Sequence, residues 1–375
     1  MSATPRLALA AVVALATCKA VDMRGEVPSR EARGAVAVPA AESLLVRRVD
    51  SLVRARAAAD SFSGAVIVAR DGAVVYSSAV GLADRSTRAP NRLDTKFNLG
   101  SVDKYFTRIA VRQLQRDGRL SMADTLGKFV PDYPNARARS VTVEQLYQMR
   151  AGIPDIFNER WDAARNGLRA TDDFVRLFAD RPLLFEPGTR QEYCNGCYVL
   201  LGKIVEVASG QSWYDYAREH VFAPAGMTGT GYFERDARTP NRAVGYTTEG
   251  ADGPAAPAGR DGRRPNTFTL GIRGGSAGGG YSTAEDLLRL DGAVRSGRLL
   301  GAAYTDSLLG PAFRTPAPEP GRPGRSGWIG GSPGVNAVFA IRSSGYTVIV
   351  LSNYDPPSAE SLGDGILRLV GEGLR

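Results

Sequence analysis

The first hundred residues carry the pattern of an amphipathic helix followed by two strands. Apolar residues recur at helical spacing over residues 41–58, on a face that holds Leu45, Val49, Leu52 and Val53. Two apolar runs follow at 64–69 and 74–80, and Asp71-Gly72 between them is typical of a tight hairpin turn. This part of the chain therefore predicts one helix and one β-hairpin.

The end of the chain shows the same elements in reverse order. Residues 335–342 and 346–353 form apolar runs around Ser343-Ser344-Gly345, and a helix is predicted from Ser358 to Val370. Because each end offers a helix and two strands, the economical arrangement is one antiparallel sheet that both ends build and both helices cover. The expected fold class is thus α+β.

The middle of the chain, from about residue 101 to 265, is predicted to be a mostly helical subdomain inserted into a domain over 41–375. No internal repeat or long linker divides this domain. Two Gly/Pro-rich stretches, 250–265 and 310–327, are expected to be surface loops, and loops of that length often shape the rim of a site.

The N-terminus has the pattern of an export signal. Arg6 precedes an apolar run from Leu7 to Thr17, which is too short to span a bilayer. We therefore expect a signal peptide over residues 1–20 and a flexible tether over 21–40. The four residues that end at Cys18 resemble a lipoprotein processing site, so that a lipid on this cysteine would attach the protein to a membrane. The predicted location is extracytoplasmic: periplasmic, secreted or anchored to the envelope.

Composition and charge narrow the choice of partners. The chain has 375 residues, a formal net charge of +8 and 43% hydrophobic residues, which is enough for a large core. Five of its 47 basic residues are lysines, and the arginines stand singly rather than in a basic block. In the absence of a motif or a basic stripe, we expect no nucleic-acid partner. Because lysine is scarce in this chain, each lysine is a stronger candidate for a functional residue.

His220 is the single histidine. A His-rich metal site needs several imidazoles, and a His-dependent triad would have to use this one. It lies in a charged amphipathic pattern from Tyr214 to Phe222, which favours a solvated surface side chain. We therefore expect no metal ion and no cofactor.

Ser101 and Lys104 open a predicted helix that ends at Gly118. The i, i+3 spacing places the lysine ammonium over the serine hydroxyl. A neutral lysine can take the serine proton, and partial burial lowers its pKa toward that role. The helix N-terminus adds backbone N–H groups and a positive field for a developing oxyanion. On its own this short motif is weak, because chance supplies it in many chains.

Further segments in a fixed order extend this motif into a family resemblance. The stretch from Phe97 to Thr107 resembles the nucleophile region of the serine β-lactamase and penicillin-binding protein superfamily, and is most similar to class C β-lactamases and family VIII esterases. The later segments that are similar to motifs of this superfamily are Tyr193-Cys194-Asn195, Gly274–Leu287, Gly330–Gly334 and Leu351-Ser352-Asn353. The resemblance covers about residues 42–372 and implies a β-lactamase-like fold. Several matches in the family order are more specific than any one of them.

The resemblance implies a role for each matching residue. Tyr193 would face Ser101 as the proton shuttle to the leaving group, with a pKa lowered by Lys104. Asn195 would hydrogen-bond Lys104 and the acyl side of the substrate. The backbone N–H groups of Ser101 and Gly331 would form the oxyanion hole, on the strand that also contains Gly330.

Trp328 departs from the family pattern. The third motif of the family corresponds to Trp328-Ile329-Gly330 in this sequence. In the family this motif normally begins with a lysine or a histidine, whose charge binds the carboxylate of a β-lactam or of a D-Ala-D-Ala terminus. An indole offers one neutral N–H and an apolar face instead. Tryptophan at this position resembles the family VIII esterases, and it favours neutral esters as substrates. Arg150, Arg322 and Arg325 remain alternatives for the missing cation.

Cys194 and Cys197 form a C-x-x-C pair. Such a pair can be redox-active or can bind a metal, but a metal needs further ligands. Export favours a disulfide bond, provided that the local backbone brings the two Cβ atoms close enough. A bond here would stiffen the loop that carries Tyr193 and Asn195.

The sequence thus predicts a serine hydrolase that forms an acyl-enzyme on Ser101 and acts on a small ester or amide, with carboxylic esters favoured. The alternatives with the same chemistry are a β-lactamase and a peptidoglycan D-Ala-D-Ala carboxypeptidase or D-amino-acid hydrolase. An alternative of another class is a non-catalytic envelope protein that uses this fold for binding.

Overall fold

The computed structural model of the protein describes residues 40–249, 261–310, 313 and 325–372. The predicted signal peptide, Cys18 and the predicted tether up to residue 39 lie outside the described residues. No helix in the described part of the chain is long and apolar enough to cross a membrane.

The strands are β1 Gly64–Arg70, β2 Ala73–Val80, β3 Leu82–Asp84, β4 Ala89–Pro90, β5 Phe97–Asn98, β6 Tyr246–Thr247, β7 Arg264–Pro265, β8 Tyr281–Ser282, β9 Arg325–Ser332, β10 Val335–Arg342 and β11 Tyr346–Ser352. The α-helices are α1 Ala40–Ala58, α2 Lys104–Arg116, α3 Leu126–Phe129, α4 Val143–Tyr147, α5 Trp161–Ala164, α6 Thr171–Val175, α7 Asn195–Ser209, α8 Trp213–Tyr216, α9 Ala223–Ala225, α10 Ala284–Arg295, α11 Ala302–Leu309 and α12 Ser358–Glu372. Short 3₁₀ turns span Gly100–Asp103, Ala138–Ser140 and Asn266–Phe268, and a π-helix spans Ala217–Phe222.

Both ends of the chain build one antiparallel sheet, as predicted. Its strand order is β2-β1-β11-β10-β9. The first strand pairs with the last, and Gly64 lies opposite Ser352. The hairpin turn at Asp71-Gly72 has positive φ at both residues, 50° and 82°, which suits the Asp-Gly sequence. The α+β fold class expected from the two chain ends is confirmed.

The sheet separates two apolar cores. Side chains of one face, such as Val66 and Val350, pack with Val49 of α1 and Ile366 of α12. Alternate residues point the other way, so that Ile67 belongs to the larger core beneath the helical part of the chain. The face predicted for the first helix is the one that packs on the sheet, because Leu45, Val49 and Val53 are buried there.

The helical subdomain ends earlier than the sequence predicted. Helices α2 to α9 occupy the region up to Ala225, and the described residues between this point and residue 265 contain the short pair β6 and β7 instead. The predicted loop over 310–327 also changes at its end, because β9 begins at Arg325 and pairs with β10. Residues 250–260, 311, 312 and 314–324 lie outside the described part of the chain.

Candidate active site

Ser101 lies where β5 turns into α2. The 3₁₀ turn Gly100–Asp103 precedes the helix, and Gly100 has a φ of +50°, which favours glycine. Strand β9 passes close by: a Cβ atom on Gly330 would lie 2.0 Å from the Leu99 carbonyl oxygen and 2.8 Å from the Ser101 nitrogen. Glycine is therefore required at residue 330 so that the third motif can approach Ser101.

Lys104 is fully buried directly beneath the Ser101 hydroxyl. Its Nζ atom lies 3.0 Å from Ser101 Oγ, 2.7 Å from Asn195 Oδ1 and 2.5 Å from the carbonyl oxygen of Ala277. The helix spacing brings the lysine under the serine, and the loop before β8 supplies the carbonyl. Three oxygen acceptors thus hold one amine in a fixed position.

Burial lowers the pKa of Lys104 to about 7, although the charges of Asp155 and Asp103 act in the opposite direction. The amine is therefore partly neutral near neutral pH, and a neutral amine can accept the proton of Ser101.

Asp103 is the buried neighbour of Lys104. Burial raises the pKa of its carboxyl to about 8, against a hydrogen bond from the Gly280 N–H at 2.5 Å and the charge of Lys104. Its Oδ1 atom has no hydrogen-bond partner among the described residues. Asp103 therefore anchors the glycine loop that also carries the Ala277 carbonyl.

Tyr193 contacts Ser101 through a hydrogen bond between the two hydroxyl groups. Lys104 Nζ lies 4.9 Å from the centre of its ring. Tyr193 is 53% exposed because it borders an open cavity. The protein around the phenol nevertheless removes enough water to raise its pKa to about 12, although the hydrogen bond with Ser101 acts in the opposite direction. The predicted lowering of the Tyr193 pKa is therefore wrong, because desolvation and the charge of Asp155 outweigh the hydrogen bond with Ser101.

Asn195 begins α7 and links Lys104 to a carboxylate. Its Oδ1 accepts from Lys104, while its Nδ2 donates to Asp155 Oδ2 at 2.9 Å. This bridge fixes the orientation of the amide, since the oxygen must face the lysine. Sequence reasoning missed Asp155, which lies in a loop without a motif, two residues after Ile153.

Cys194 and Cys197 lie at the start of α7. Their sulfur atoms are 1.98 Å apart, at disulfide-bonding distance, and the Cα atoms are 5.3 Å apart. Cys194 Sγ also accepts a hydrogen bond from the Cys197 N–H and so caps the helix. The bond closes the turn that carries Asn195 and follows Tyr193.

The predicted oxyanion residues come together at the floor of the site. Ser101 and Gly331 both line the same cavity. A Cβ atom on Gly100 would lie 3.0 Å from the Gly331 nitrogen, so the two backbone segments are in close contact. The backbone N–H groups of Ser101 and Gly331 are the donors that the resemblance assigns to a developing oxyanion.

Trp328 does not line the cavity. Its ring packs at 5.7 Å, edge to face, against Tyr198, and the Arg108 guanidinium lies 5.8 Å from its centre. Neighbouring residues on a strand point to opposite faces, so Ile329 faces the cavity instead, with 41% of its surface exposed. A direct contact of Trp328 with substrate stays a prediction.

The cavity at Ser101 has a volume of about 1000 Å³. Three arginines line it: Arg165, Arg235 and Arg273. Arg150, one of the alternatives for the missing cation, does not; its side chain is exposed and donates to the Gly188 carbonyl. The side chains of Arg322 and Arg325 lie outside the described residues. Sequence reasoning missed the three lining arginines, because each stands alone in the sequence.

His220 is exposed and is not among the residues that line this cavity. Its Nε2 atom bonds to Gln211 Oε1 at 2.9 Å. In the described part of the chain, no group of three or more His, Cys, Asp or Glu side chains is arranged to hold a metal ion.

Known proteins resemble this chain in sequence and in fold. It is 27% identical over 296 residues to the putative penicillin-binding protein PbpX of Bacillus subtilis (strain 168). The aligned region covers 77% of this chain and 70% of that protein. A penicillin-binding protein structure from Bacillus halodurans matches with a TM-score of 0.73 and 29% identity, over 87% of this chain and 99% of that one. A D-amino acid amidase from Ochrobactrum anthropi SV3, complexed with D-phenylalanine, has a TM-score of 0.72 at 23% identity, over 88% of this chain and 98% of that one, which shows a shared fold.

A sequence model of one family covers most of the chain. The family described as Beta-lactamase matches residues 49–371. This span contains the whole sheet, the helical part and every residue that surrounds Ser101. The chain therefore belongs to the Beta-lactamase family of serine hydrolases, within the serine β-lactamase and penicillin-binding protein superfamily.

Proposed function

We propose that the protein hydrolyses carboxylic esters through an acyl-enzyme on Ser101, with Lys104 as general base and Tyr193 as general acid. One observation carries this proposal. The Ser101 hydroxyl contacts both the buried Lys104 amine and the Tyr193 phenol, while Asn195 and a carbonyl fix the amine. A nucleophile between a base and an acid is the arrangement that acyl transfer needs.

The pKa values favour different roles for the two groups. With a pKa of about 7, Lys104 is about half neutral at pH 7, whereas a phenol with a pKa of about 12 is ionised to about one part in 100,000. Lys104 is therefore the better base. Tyr193 keeps its proton and can give it to an alkoxide that leaves.

The reaction follows from these positions. Lys104 takes the proton of Ser101, and the serine oxygen bonds to the substrate carbonyl carbon, whose oxygen becomes an oxyanion near the Ser101 and Gly331 N–H groups. The carbonyl re-forms as the bond to the leaving oxygen breaks, and Tyr193 protonates that oxygen. The proton on Lys104 returns to Tyr193. Water then releases the acid by the same steps and restores the serine.

The wall beside the nucleophile favours a neutral group near the scissile bond. The family cation is replaced by Trp328, which packs on Tyr198, and the residue that reaches the cavity is the aliphatic Ile329. A β-lactam carries its carboxylate beside the reacting ring, where the described residues 328–333 of this wall carry no charged side chain. This supports esters over β-lactams.

A fluorophosphonate probe tests the chemistry. We expect a covalent adduct on Ser101 in the wild type and none in Ser101→Ala. Lys104→Ala should lower the labelling rate by about two to four orders of magnitude, because the base is lost. A folded wild-type protein that forms no adduct would contradict the enzyme proposal and favour the non-catalytic binding protein.

A second measurement separates the substrate classes. We expect turnover of short-chain p-nitrophenyl esters and little turnover of a chromogenic cephalosporin or of a D-alanyl-D-alanine peptide. The related penicillin-binding proteins and the amidase keep the lactam, peptide and amide substrates as the second candidate. Efficient cephalosporin or peptide hydrolysis without esterase activity would establish that candidate.

We also propose that the protein acts outside the cytoplasm. The apolar N-terminal run and the close pair Cys194 and Cys197 support this location, because disulfides persist in oxidising compartments. Fractionation of cells that express the full chain tests it. Intact mass measurement of the membrane fraction tests a lipid on Cys18, with Cys18→Ser as the control.

A further inference from the structure

Part of the cavity lining is aromatic. Phe157 and Trp161 pack edge to face, with ring centres 4.7 Å apart. Both line the cavity, together with Phe174, Phe233 and Phe268. A volume of about 1000 Å³ exceeds the needs of a small acyl group, so this wall is suited to bind a long apolar segment of a substrate.

Arg273 borders the same region and is held from one side. Its guanidinium lies 3.5 Å from the centre of the Tyr214 ring, and its Nε donates to the Tyr232 carbonyl at 3.0 Å. No carboxylate in the described part of the chain forms an ion pair with it. Asp215, whose pKa its charge helps to lower, bonds instead to Ser212 and Arg218. The two terminal nitrogens of Arg273 are therefore oriented donors without an acidic partner among the described residues.

Arg165 lies on the neighbouring segment. Its carbonyl accepts from the Ile272 N–H at 2.8 Å, which places the backbone of Arg165 beside that of Arg273. Its Nε atom is buried without a hydrogen-bond partner in the described structure, and the nearest carboxylate oxygen, of the exposed Asp162, is 3.9 Å away. Among the described residues, the Arg165 guanidinium thus has only this long ion pair with an exposed carboxylate, which contributes little and which a ligand carboxylate at the terminal nitrogens can replace.

Arg235 differs from these two. Its Nε pairs with Asp236 at 3.1 Å, and its Nη1 donates to Asn166 and to the Leu270 carbonyl, both at 3.1 Å. The Arg235 donors are therefore occupied by protein acceptors. Arg235 adds positive charge to the cavity lining but no vacant hydrogen-bonding site.

Of the three lining arginines, Arg273 directly precedes a loop segment that lies against α7. The loop after Arg273 packs on that helix, because a Cβ atom on Gly202 would lie 2.2 Å from Ser276 Oγ. Asn195, at the start of the same helix, is the residue assigned to the acyl side of the substrate. The acyl chain would therefore point toward Arg165 and Arg273.

We infer that the preferred acyl group is an apolar chain that ends in a carboxylate, bound by Arg273 and Arg165. This inference rests on the proposed esterase function. In the family a cation beside the scissile bond binds the substrate carboxylate. Here the arginines would bind a carboxylate at the far end of the acyl chain instead. Arginine suits this purpose, since its planar fork binds a carboxylate with two hydrogen bonds.

The test compares acid half esters with neutral esters. Mono-p-nitrophenyl esters of glutarate, adipate and suberate are each paired with the p-nitrophenyl ester of the monoacid that has the same number of carbons. For at least one length, kcat/KM should be about tenfold higher for the anionic ester, and the preference should decrease at about 0.5 M NaCl. A wild type that prefers the neutral ester at every length would overturn the inference.

Variants assign the effect to residues. Arg273→Gln should lower the ratio of anionic to neutral kcat/KM by about tenfold, Arg165→Gln by about threefold, and Arg273→Lys should restore part of it. Arg54→Gln removes an equal charge from α1, on the other side of the sheet, and serves as the matched control. Circular dichroism verifies folding. A ratio for Arg273→Gln within about twofold of the wild type would refute the assignment.

The outcomes separate this inference from the function beneath it. If no p-nitrophenyl ester is turned over and no fluorophosphonate adduct forms on Ser101, the proposed function fails. If the neutral esters are hydrolysed but no length shows an anionic preference, only the carboxylate site is refuted.

Discussion

Asp155 offers a sharp test of how the site sets the basicity of Lys104. Its carboxylate bonds to Asn195, whose oxygen in turn accepts from the lysine, and its negative charge raises the lysine pKa. Asp155→Asn removes the charge and keeps an acceptor for the Asn195 amide. The lysine pKa should therefore decrease, and the pH midpoint of acylation should move to a lower pH.

The magnitude follows from the geometry. In the wild type the pKa of about 7 leaves about half of Lys104 neutral at pH 7, whereas an ordinary lysine would be about 0.03% neutral. The site thus raises the fraction of neutral amine on Lys104 by about a thousandfold. Asp155 and Lys104 are joined by hydrogen bonds of 2.9 and 2.7 Å to the two ends of the Asn195 amide. A charge roughly 7 Å away, at an effective dielectric constant of about 20, contributes about 2 kcal/mol, which is about one to two pH units.

The assay is the second-order rate constant for labelling by a neutral fluorophosphonate, measured from about pH 5 to about 9. The wild-type rate should rise with pH and level off above about pH 7, because the proposed mechanism requires the deprotonated form of Lys104, whose pKa is about 7. Asp94→Asn, which removes an exposed carboxylate paired with Arg92, is the control. A midpoint for Asp155→Asn that is equal to or above the wild-type value would refute this account of Lys104.

Three further predictions concern the acid, the buried carboxyl and the disulfide. Tyr193→Phe should reduce kcat/KM for an ethyl ester by at least about a hundredfold and for a p-nitrophenyl ester much less, because p-nitrophenolate leaves without a proton; equal losses would exclude a general-acid role. The pKa of Asp103 is about 8 in the folded protein and about 4 in the unfolded chain, so the wild type loses stability as the pH rises between these values. The melting temperature of Asp103→Asn relative to that of the wild type should therefore increase from about pH 5 to about pH 8. A difference in melting temperature that is constant with pH would contradict the raised pKa. Replacing both Cys194 and Cys197 by Ala should lower the free energy of unfolding in urea by about 2 kcal/mol and abolish the effect of reductant on the wild-type value, whereas a double variant as stable as the oxidised wild type would show that the bond contributes nothing.

The sheet was largely predictable because its strands carry the information themselves. Residues 335–342 form an apolar run with a clear turn after it, and the structure gives β10 these bounds. Strand β9 has no such pattern, since it contains Gly327, Gly330 and Gly331. It exists because β10 pairs with it and because the Ser101 turn needs close approach. Only the family resemblance indicated a strand there.

The site shows the same limit. Two features of the site could be predicted because each lies in a short stretch of sequence: the spacing of Ser101 and Lys104, and the motif of Tyr193 and Asn195. The Ala277 carbonyl and Asp155 were not, because backbone acceptors and loop carboxylates acquire a role only through tertiary contact. The direction of the Tyr193 pKa depends on burial, which no motif states.

The pairing of β1 with β11 has a consequence for how the protein acquires activity. Ser63 and Ser352, 289 residues apart, are joined by a hydrogen bond across this pairing. Contacts so distant in sequence form late, since the loop between them must close first. During synthesis, Ser101 is made long before Gly331 and before the strand that completes the sheet. Under the proposed mechanism, an unfinished chain holds Ser101 without the Gly331 N–H group, and we expect no ester hydrolysis until β11 is in place.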